Sequence, residues 1–316
     1  MHLQKEHKKK KNLLPLLLIV LAAALAAGCA MLWHERTQLQ NELASQRQQL
    51  LEARLETEQQ SQKLARLQED YDALLKQEQQ SPLQPNGDIP YQSMFPELML
   101  EPLKGYTQED KVYLTFDDGP SERTAEILDF LAKKEIKATF FVVGSNLKTE
   151  RGKEILRRIA DEGHTIGIHT ESHQYRTIYA SVEAYLKDFE TAYNRVYEIT
   201  GVKAEIFRFP GGSVNSYNGA VYQEIIAEMT RRGFSYYDWN VSSADATGNV
   251  TAAAIEKNCL SGVRAHKRSI VLMHDSTPKK TTVQALPAIV DTLLEEGYAF
   301  APLSRDVLPV AFGYAN

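Results

Sequence analysis

The chain is poor in the residues that mark several large protein classes. Of its 316 residues only two are cysteine, Cys29 and Cys259, and Cys29 lies in the most apolar stretch. A disulfide framework is therefore excluded. An excess of positive charge is also lacking. The 36 Lys and Arg are outnumbered by 41 Asp and Glu, giving a net charge of −5, so no basic face for nucleic acid is expected. No charged residue interrupts 13–33, and no Gly or Pro interrupts 35–80. Each of these two gaps defines a segment.

Residues 1–12 carry Lys5, Lys8, Lys9, Lys10 and Lys11. They precede the uncharged run 13–33, which is long enough to cross a bilayer as a helix. Positive charge before the span keeps the N-terminus cytoplasmic and puts everything after it outside. The expectation is a single-pass cell-membrane protein. Leu25-Ala26-Ala27-Gly28-Cys29 also resembles the lipobox of bacterial lipoproteins, which would leave an acylated Cys29 as the anchor instead.

Without Gly or Pro, residues 34–80 read as a helical stalk. A heptad seam holds Leu39, Leu43, Leu50, Ala53, Leu64, Leu67, Tyr71 and Leu74, but Gln46, Thr57 and Gln60 also fall on it. That pattern fits a homodimeric coiled coil or a solvated spacer equally well. Residues 81–110 contain Pro82, Pro85, Pro90, Pro96 and Pro102 and read as an extended linker.

Across 111–316 the texture alternates. Apolar runs at 112–116, 138–143, 165–169, 206–209, 236–241, 269–273 and 299–303 are separated by stretches of helical period at 124–134, 153–162, 182–200, 221–232, 251–265 and 283–296. Such alternation predicts an α/β domain with about seven parallel strands, as an irregular barrel or an open sheet. Either way, chemistry belongs at the C-terminal ends of the strands.

The polar residues do fall there. Thr115-Phe116-Asp117-Asp118-Gly119-Pro120 ends the first run on two adjacent carboxylates. A bound dication would divide their labour, one carboxylate ligating it and the other staying free as a base. His169-Thr170-Glu171-Ser172-His173 follows the third run, with two imidazoles that one ion can share. Arg208-Phe209-Pro210-Gly211-Gly212 follows the fourth and sets a guanidinium beside a turn whose N–H groups can face an oxyanion. Leu272-Met273-His274-Asp275 follows the sixth. Taken singly, these are a solvated turn, a surface histidine pair, a plain turn and a structural histidine. Their gathering at the same ends of one parallel sheet has no comparable structural explanation. Cys259, between helical residues, reads as buried packing.

This ordered set resembles the NodB-homology domain of polysaccharide deacetylases, carbohydrate esterase family 4. The resemblance implies an irregular (β/α) barrel and a divalent metal ion, zinc or alternatively cobalt, held by Asp118, His169 and His173. It makes Asp117 the catalytic base, Arg208 the residue that orients it and His274 the general acid, with the N–H of Gly211 facing the oxyanion. The chain departs from the family pattern at three positions. Gly211 stands where Tyr is frequent, and Ser242 and Ala246 stand where the fourth motif has Asp and Trp. Trp239 with Leu272 is the expected substitute wall of the acetyl pocket. Support for His274 is expected from Asp245, which comes from the neighbouring strand end, with Asp275 as the other candidate. The implied activity is deacetylation of a cell-wall glycan, peptidoglycan N-acetylglucosamine first, with an exopolysaccharide or acetylxylan as alternatives. A non-catalytic glycan-binding scaffold is disfavoured by the intact set Asp117, Asp118, His169, His173 and His274.

Overall fold

The computed structural model describes residues 89–313 and, before them, 28–51 together with positions 18, 19, 21, 22, 25, 54 and 60. The chain divides into two units, Met1–Asn86 and Gly87–Asn316. In the first, 28–51 are helical, with the seam residues Leu39, Leu43 and Leu50 exposed. The expected anchor over 13–33 and stalk over 34–80 lie partly outside the described residues. Among the described residues no helix is long and apolar enough to cross a membrane.

The second unit carries seven parallel strands: β1 (Val112–Asp117), β2 (Thr139–Val142), β3 (Thr165–Ile168), β4 (Ile206–Phe207), β5 (Ser235–Tyr236), β6 (Val241–Ser242) and β7 (Ser269–His274). Helices α1 (Glu122–Lys134), α2 (Glu150–Asp161), α3 (Val182–Thr200), α4 (Tyr222–Arg231), α5 (Ala252–Arg264) and α6 (Lys280–Glu295) connect or follow them. Ser121, Thr149, Ser181 and Thr251 begin α1, α2, α3 and α5, each accepting a main-chain N–H of the first turn. Such caps contribute about 1 kcal/mol each.

The strand order is β5-β4-β3-β2-β1-β7-β6. β5 and β6 thus form opposite edges, although only Tyr237 to Asn240 separate them in the chain. A flat sheet of seven strands would set its edges roughly 29 Å apart. The five steps from Tyr236 to Val241 reach at most about 18 Å. The sheet must therefore curl into an incomplete barrel, open between β5 and β6.

This corrects two expectations. The run 236–241 is two strands on opposite edges, because its polar residues fasten the crossing to both sides. Asp238 accepts N–H groups from Ser213 and Phe312, whereas Asn240 exchanges hydrogen bonds with Arg268 and Ile270 on the β7 side. The run 299–303 is no strand and makes one isolated bridge, Phe300 to Val112. β2 takes that edge of β1 from Thr115 onward and β7 takes the other edge, so only the start of β1 is left for 299–303 to pair with.

Alternation along the strands decides what faces the barrel interior. Tyr113, Phe141, Ile206, Tyr237 and Ile270 form an inner cluster, with Trp239 packed against it. Leu114, Phe116, Phe140, Phe207 and Val271 join the larger core. The same period-2 rule continues the inner face from Tyr113 through Thr115 to Asp117, from Ile206 to Arg208, and from Ile270 through Leu272 to His274.

The proline-rich stretch is also corrected from residue 89 onward. Pro90–Ser93 forms one turn of 3-10 helix, and Leu98 is fully buried. Arg232, likewise buried, donates to the carbonyls of Tyr91, Met94 and Phe95, while its Nε–H goes to Glu228 at 2.6 Å. The segment is therefore a strap on the domain and not a free linker.

Candidate active site

β1 and β7 run in register from Val112 opposite Ser269 to Asp117 opposite His274. The two motif residues therefore finish side by side at one end of the barrel. Asp117 is buried. Its Oδ1 accepts the Nη1–H of Arg208 at 2.8 Å. The same nitrogen is 2.7 Å from Thr115 Oγ1, and Nε and Nη2 donate to the carbonyls of Tyr237 and Asp238. The guanidinium carbon sits 4.3 Å from the Phe141 ring centroid. With every edge engaged, Arg208 has one available pose. Burial pushes the Asp117 carboxyl above its ordinary range, and the Arg208 charge pulls against that shift.

Beside Asp117, the side-chain ligand atoms of Asp118, His169 and His173 lie within 4.8 Å of one another. Asp118 Oδ1 is 3.2 Å from His173 Nε2 and 3.6 Å from His169 Nε2. His169 Nδ1 is 2.8 Å from the carbonyl of Arg208. Donation there leaves the Nε2 lone pair facing the cluster, the orientation that metal-ligating histidines need. Burial pushes the His169 pKa down to about 3, helped by the neighbouring His173, so the ring is neutral, as a ligand must be. These donors fit a divalent cation that accepts nitrogen and oxygen, with room left for further ligands.

The backbone that presents them is strained. Asp118, Thr170 and His173 adopt φ of 75°, 69° and 55°, a region that costs non-glycine residues energy and is retained where the surroundings impose it. Asn146 imposes it on the first loop, donating to the carbonyls of Asp118 and Gly119. Asp188 of α3 imposes it on the second, accepting the N–H of Glu171 at 2.6 Å and of Ser172 at 3.2 Å. Sequence reasoning missed both. Asn146 and Asp188 lie outside the motifs they secure, and polar residues in a loop and a helix give no local signal.

Across the site, Asp245 Oδ1 is 2.7 Å from His274 Nδ1. Burial works against a charged His274, but the bond from Asp245 prevails and its pKa is raised. Burial likewise opposes the Asp245 charge, and the bonds from His274 and Thr282 hold its carboxyl below the ordinary range. Asp275 is turned elsewhere: it accepts from Thr124 Oγ1, and burial pushes its pKa up to about 8. Ser242 and Ala246 are exposed.

Gly211, with φ of 78°, presents an N–H that meets no protein acceptor among the described residues. A Cβ there would stand 2.8 Å from the Tyr175 ring, and one on Gly212 would stand 2.6 Å from the Phe312 ring. Both glycines are thus required by the aromatic side chains on either flank. Trp239 packs edge-on to Phe312, centroids 4.8 Å apart, and its indole lies 5.8 Å from the Arg208 guanidinium. Leu272 is buried on the inner face of β7 beside His274. Tyr175 and Phe312 were not anticipated, since nothing in the sequence ties either to the Gly211–Gly212 turn. Cys259 is buried, as expected.

Comparison with known proteins agrees with this arrangement. The family model described as polysaccharide deacetylase matches residues 104–230. A putative polysaccharide deacetylase of Bacillus subtilis, YheN, is 33% identical over 221 residues, covering 68% of this chain and 75% of its own. A peptidoglycan-N-acetylglucosamine deacetylase of Bacillus cereus is 33% identical over 216 residues, covering 66% and 76%. Among solved structures, the catalytic domain of peptidoglycan N-acetylglucosamine deacetylase from Eubacterium rectale superposes with a TM-score of 0.61 at 35% identity, covering 70% of this chain and all (100%) of that one. The chain belongs to the polysaccharide deacetylase family.

Proposed function

We propose that the Gly87–Asn316 unit is a metal-dependent hydrolase that removes N-acetyl groups from peptidoglycan N-acetylglucosamine, releasing acetate. One observation carries this reading: a buried carboxylate fixed by arginine, Asp117, and a histidine supported by a carboxylate, His274, stand at neighbouring strand ends beside the Asp118, His169 and His173 cluster. That is a candidate base and a candidate acid at one reaction centre, each held in place by its own ionic partner.

A divalent cation held by Asp118, His169 and His173, zinc or cobalt, would act as the Lewis acid that polarises the acetamide carbonyl. Asp117 accepts a proton from the water that adds to the carbonyl carbon, and Arg208 keeps its carboxylate aimed. The Gly211 N–H donates to the oxygen that gains negative charge. His274 gives its proton to the amine nitrogen as the C–N bond breaks, because an amide anion would be too poor a leaving group. Water has then been divided between acetate and a free amine. Trp239 and Leu272 wall the methyl side.

The full chain is proposed to sit in the cell membrane through 13–33, with the catalytic unit outside; the uncharged run and the lysines before it support this. Mass spectrometry finding an acylated N-terminus at Cys29 would replace the helix by a lipid anchor. For the activity, acetate release from purified peptidoglycan, with matching appearance of free glucosamine amines, is the direct test. No acetate from any N-acetylglucosamine polymer, with the metal supplied, would refute it.

A further inference from the structure

We propose that Tyr175 and Tyr217 form an aromatic ledge that binds the apolar face of a pyranose ring adjoining the sugar that is deacetylated, so that the site selects glycan chains over single sugars. The proposal rests on the deacetylase reading for the identity of the sugar but not for the existence of the ledge.

The ledge starts at the metal cluster. The ring of Tyr175 meets the His173 ring edge-on, centroids 5.4 Å apart. It packs against Gly211, filling the volume that a side chain at 211 would take. Tyr217 continues outward, its centroid 5.0 Å from that of Tyr175 at an interplanar angle of 56°. Tyr217 leaves 54% of its surface exposed.

Single exposed aromatic residues are ordinary on protein surfaces. This one is different because its loop is tied directly to the oxyanion turn. Asn215 Nδ2 donates to the carbonyls of Pro210 and Gly212. Its Oδ1 accepts the N–H of Tyr217 at 2.8 Å and of Asn218 at 3.2 Å. Asn218 returns the arrangement, with Oδ1 accepting from Asn215 N and Nδ2 donating to the Ser213 carbonyl. An exposed ring on so fixed a loop has little conformational freedom left to lose on binding.

The chemistry of the surface selects the occupant. A pyranose has an apolar face of C–H groups edged by hydroxyls, and a tyrosine has an apolar face edged by one hydroxyl. A hydrocarbon ligand would leave both phenol groups unpaired. An anionic ligand would gain nothing from the negatively polarised faces of the rings. The ledge also runs outward from the cluster, where the rest of a polymer must pass once one of its sugars is at the metal.

The test uses the full-length chain in detergent, metal-loaded, with a β-linked N-acetylglucosamine pentamer and the single sugar as probes. Calorimetry measures pentamer binding, and acetate release measures kcat/KM for both. Tyr217→Ala is expected to weaken pentamer binding about tenfold, the loss of one stacking contact, and to lower the pentamer-to-monomer ratio of kcat/KM to a similar degree. Tyr217→Phe, which keeps the stacking face but not the hydroxyl, is expected to restore most of both. Tyr197→Ala, an exposed tyrosine on α3, changes neither. Equal pentamer affinity in wild type and Tyr217→Ala overturns the ledge. If wild type releases no acetate but the affinity difference remains, the deacetylase reading fails and the ledge stands.

Discussion

Asp245 holds His274 by two bonds at once: one carboxylate oxygen lies 2.7 Å from the ring Nδ1, and the other accepts the main-chain N–H of the same residue at 2.8 Å. Ring and backbone are thus fixed together, and the carboxylate that fixes them also favours the imidazolium.

The pH profile should report this pair. The bond to Asp245 raises the His274 pKa despite burial, so the proton needed for the leaving amine persists to higher pH. Without the carboxylate, burial acts alone and the pKa falls. Asp245→Asn is therefore expected to move the alkaline limb of the pH-rate profile downward. An unmoved limb would show that Asp245 does not support the acid. His274→Ala should keep metal binding and lose about a hundredfold or more in kcat, the usual weight of general acid catalysis.

Metal removal should be reversible. Asp118 and His173 are part-exposed, so a chelator can reach the cluster. Dialysis against chelator is expected to abolish acetate release, and zinc or cobalt to restore it. His173→Ala should weaken metal affinity at least tenfold to a hundredfold, by analogy with the loss of supporting contacts. Full activity in the chelated, dialysed protein would remove the metal from the mechanism.

Much of this site was legible because strand period and motif position agree. Asp117, Arg208 and His274 each end or follow an apolar run, and the parallel register brings those ends together. Asp245 was accessible by the same reasoning, since it lies just beyond a strand end. Asp188 and Asn146 were not, because each acts on a loop distant in sequence through main-chain hydrogen bonds that leave no pattern. The split of 236–241 was hidden for a related reason. Asp238 and Asn240 look like ordinary alternation in a strand, and only their partners, Ser213 in the loop after β4 for one and Arg268 just before β7 for the other, show that the chain is crossing the barrel opening.

Arg208 should matter for stability as well as rate. Its ion pair with Asp117 is buried on both sides, and removing one member of such a pair typically costs about 3–5 kcal/mol. Arg208→Met is expected to lose stability on this scale in urea unfolding. Arg208→Lys, which keeps the charge but not the fork, should lose less. In folded Arg208→Lys, weaker support for the Asp117 carboxylate raises its pKa further, so the acid limb of the profile moves upward. An unchanged acid limb would separate Asp117 from the base role.

The strap before the barrel makes the last prediction. A protein spanning 105–316 retains every motif residue, yet it removes Leu98 and the carbonyls of Tyr91, Met94 and Phe95 that Arg232 uses. Losing a fully buried leucine forfeits about 1.5–3 kcal/mol. Arg232 also keeps only Glu228 from its present partners, and Leu100 can no longer donate to the Arg232 carbonyl. An arginine stripped of neutral acceptors in a buried position carries a desolvation penalty, unless the opened groove admits water. Protein 89–316 is therefore expected to unfold several degrees above 105–316, the shift that a loss of a few kcal/mol produces in a domain of this size. Arg232→Met in 105–316 should recover part of the difference between the two, since it removes the charge together with the need for acceptors. Equal melting temperatures for 89–316 and 105–316 would mean that residues 89–104 add nothing to the domain and that the strap is only laid against it.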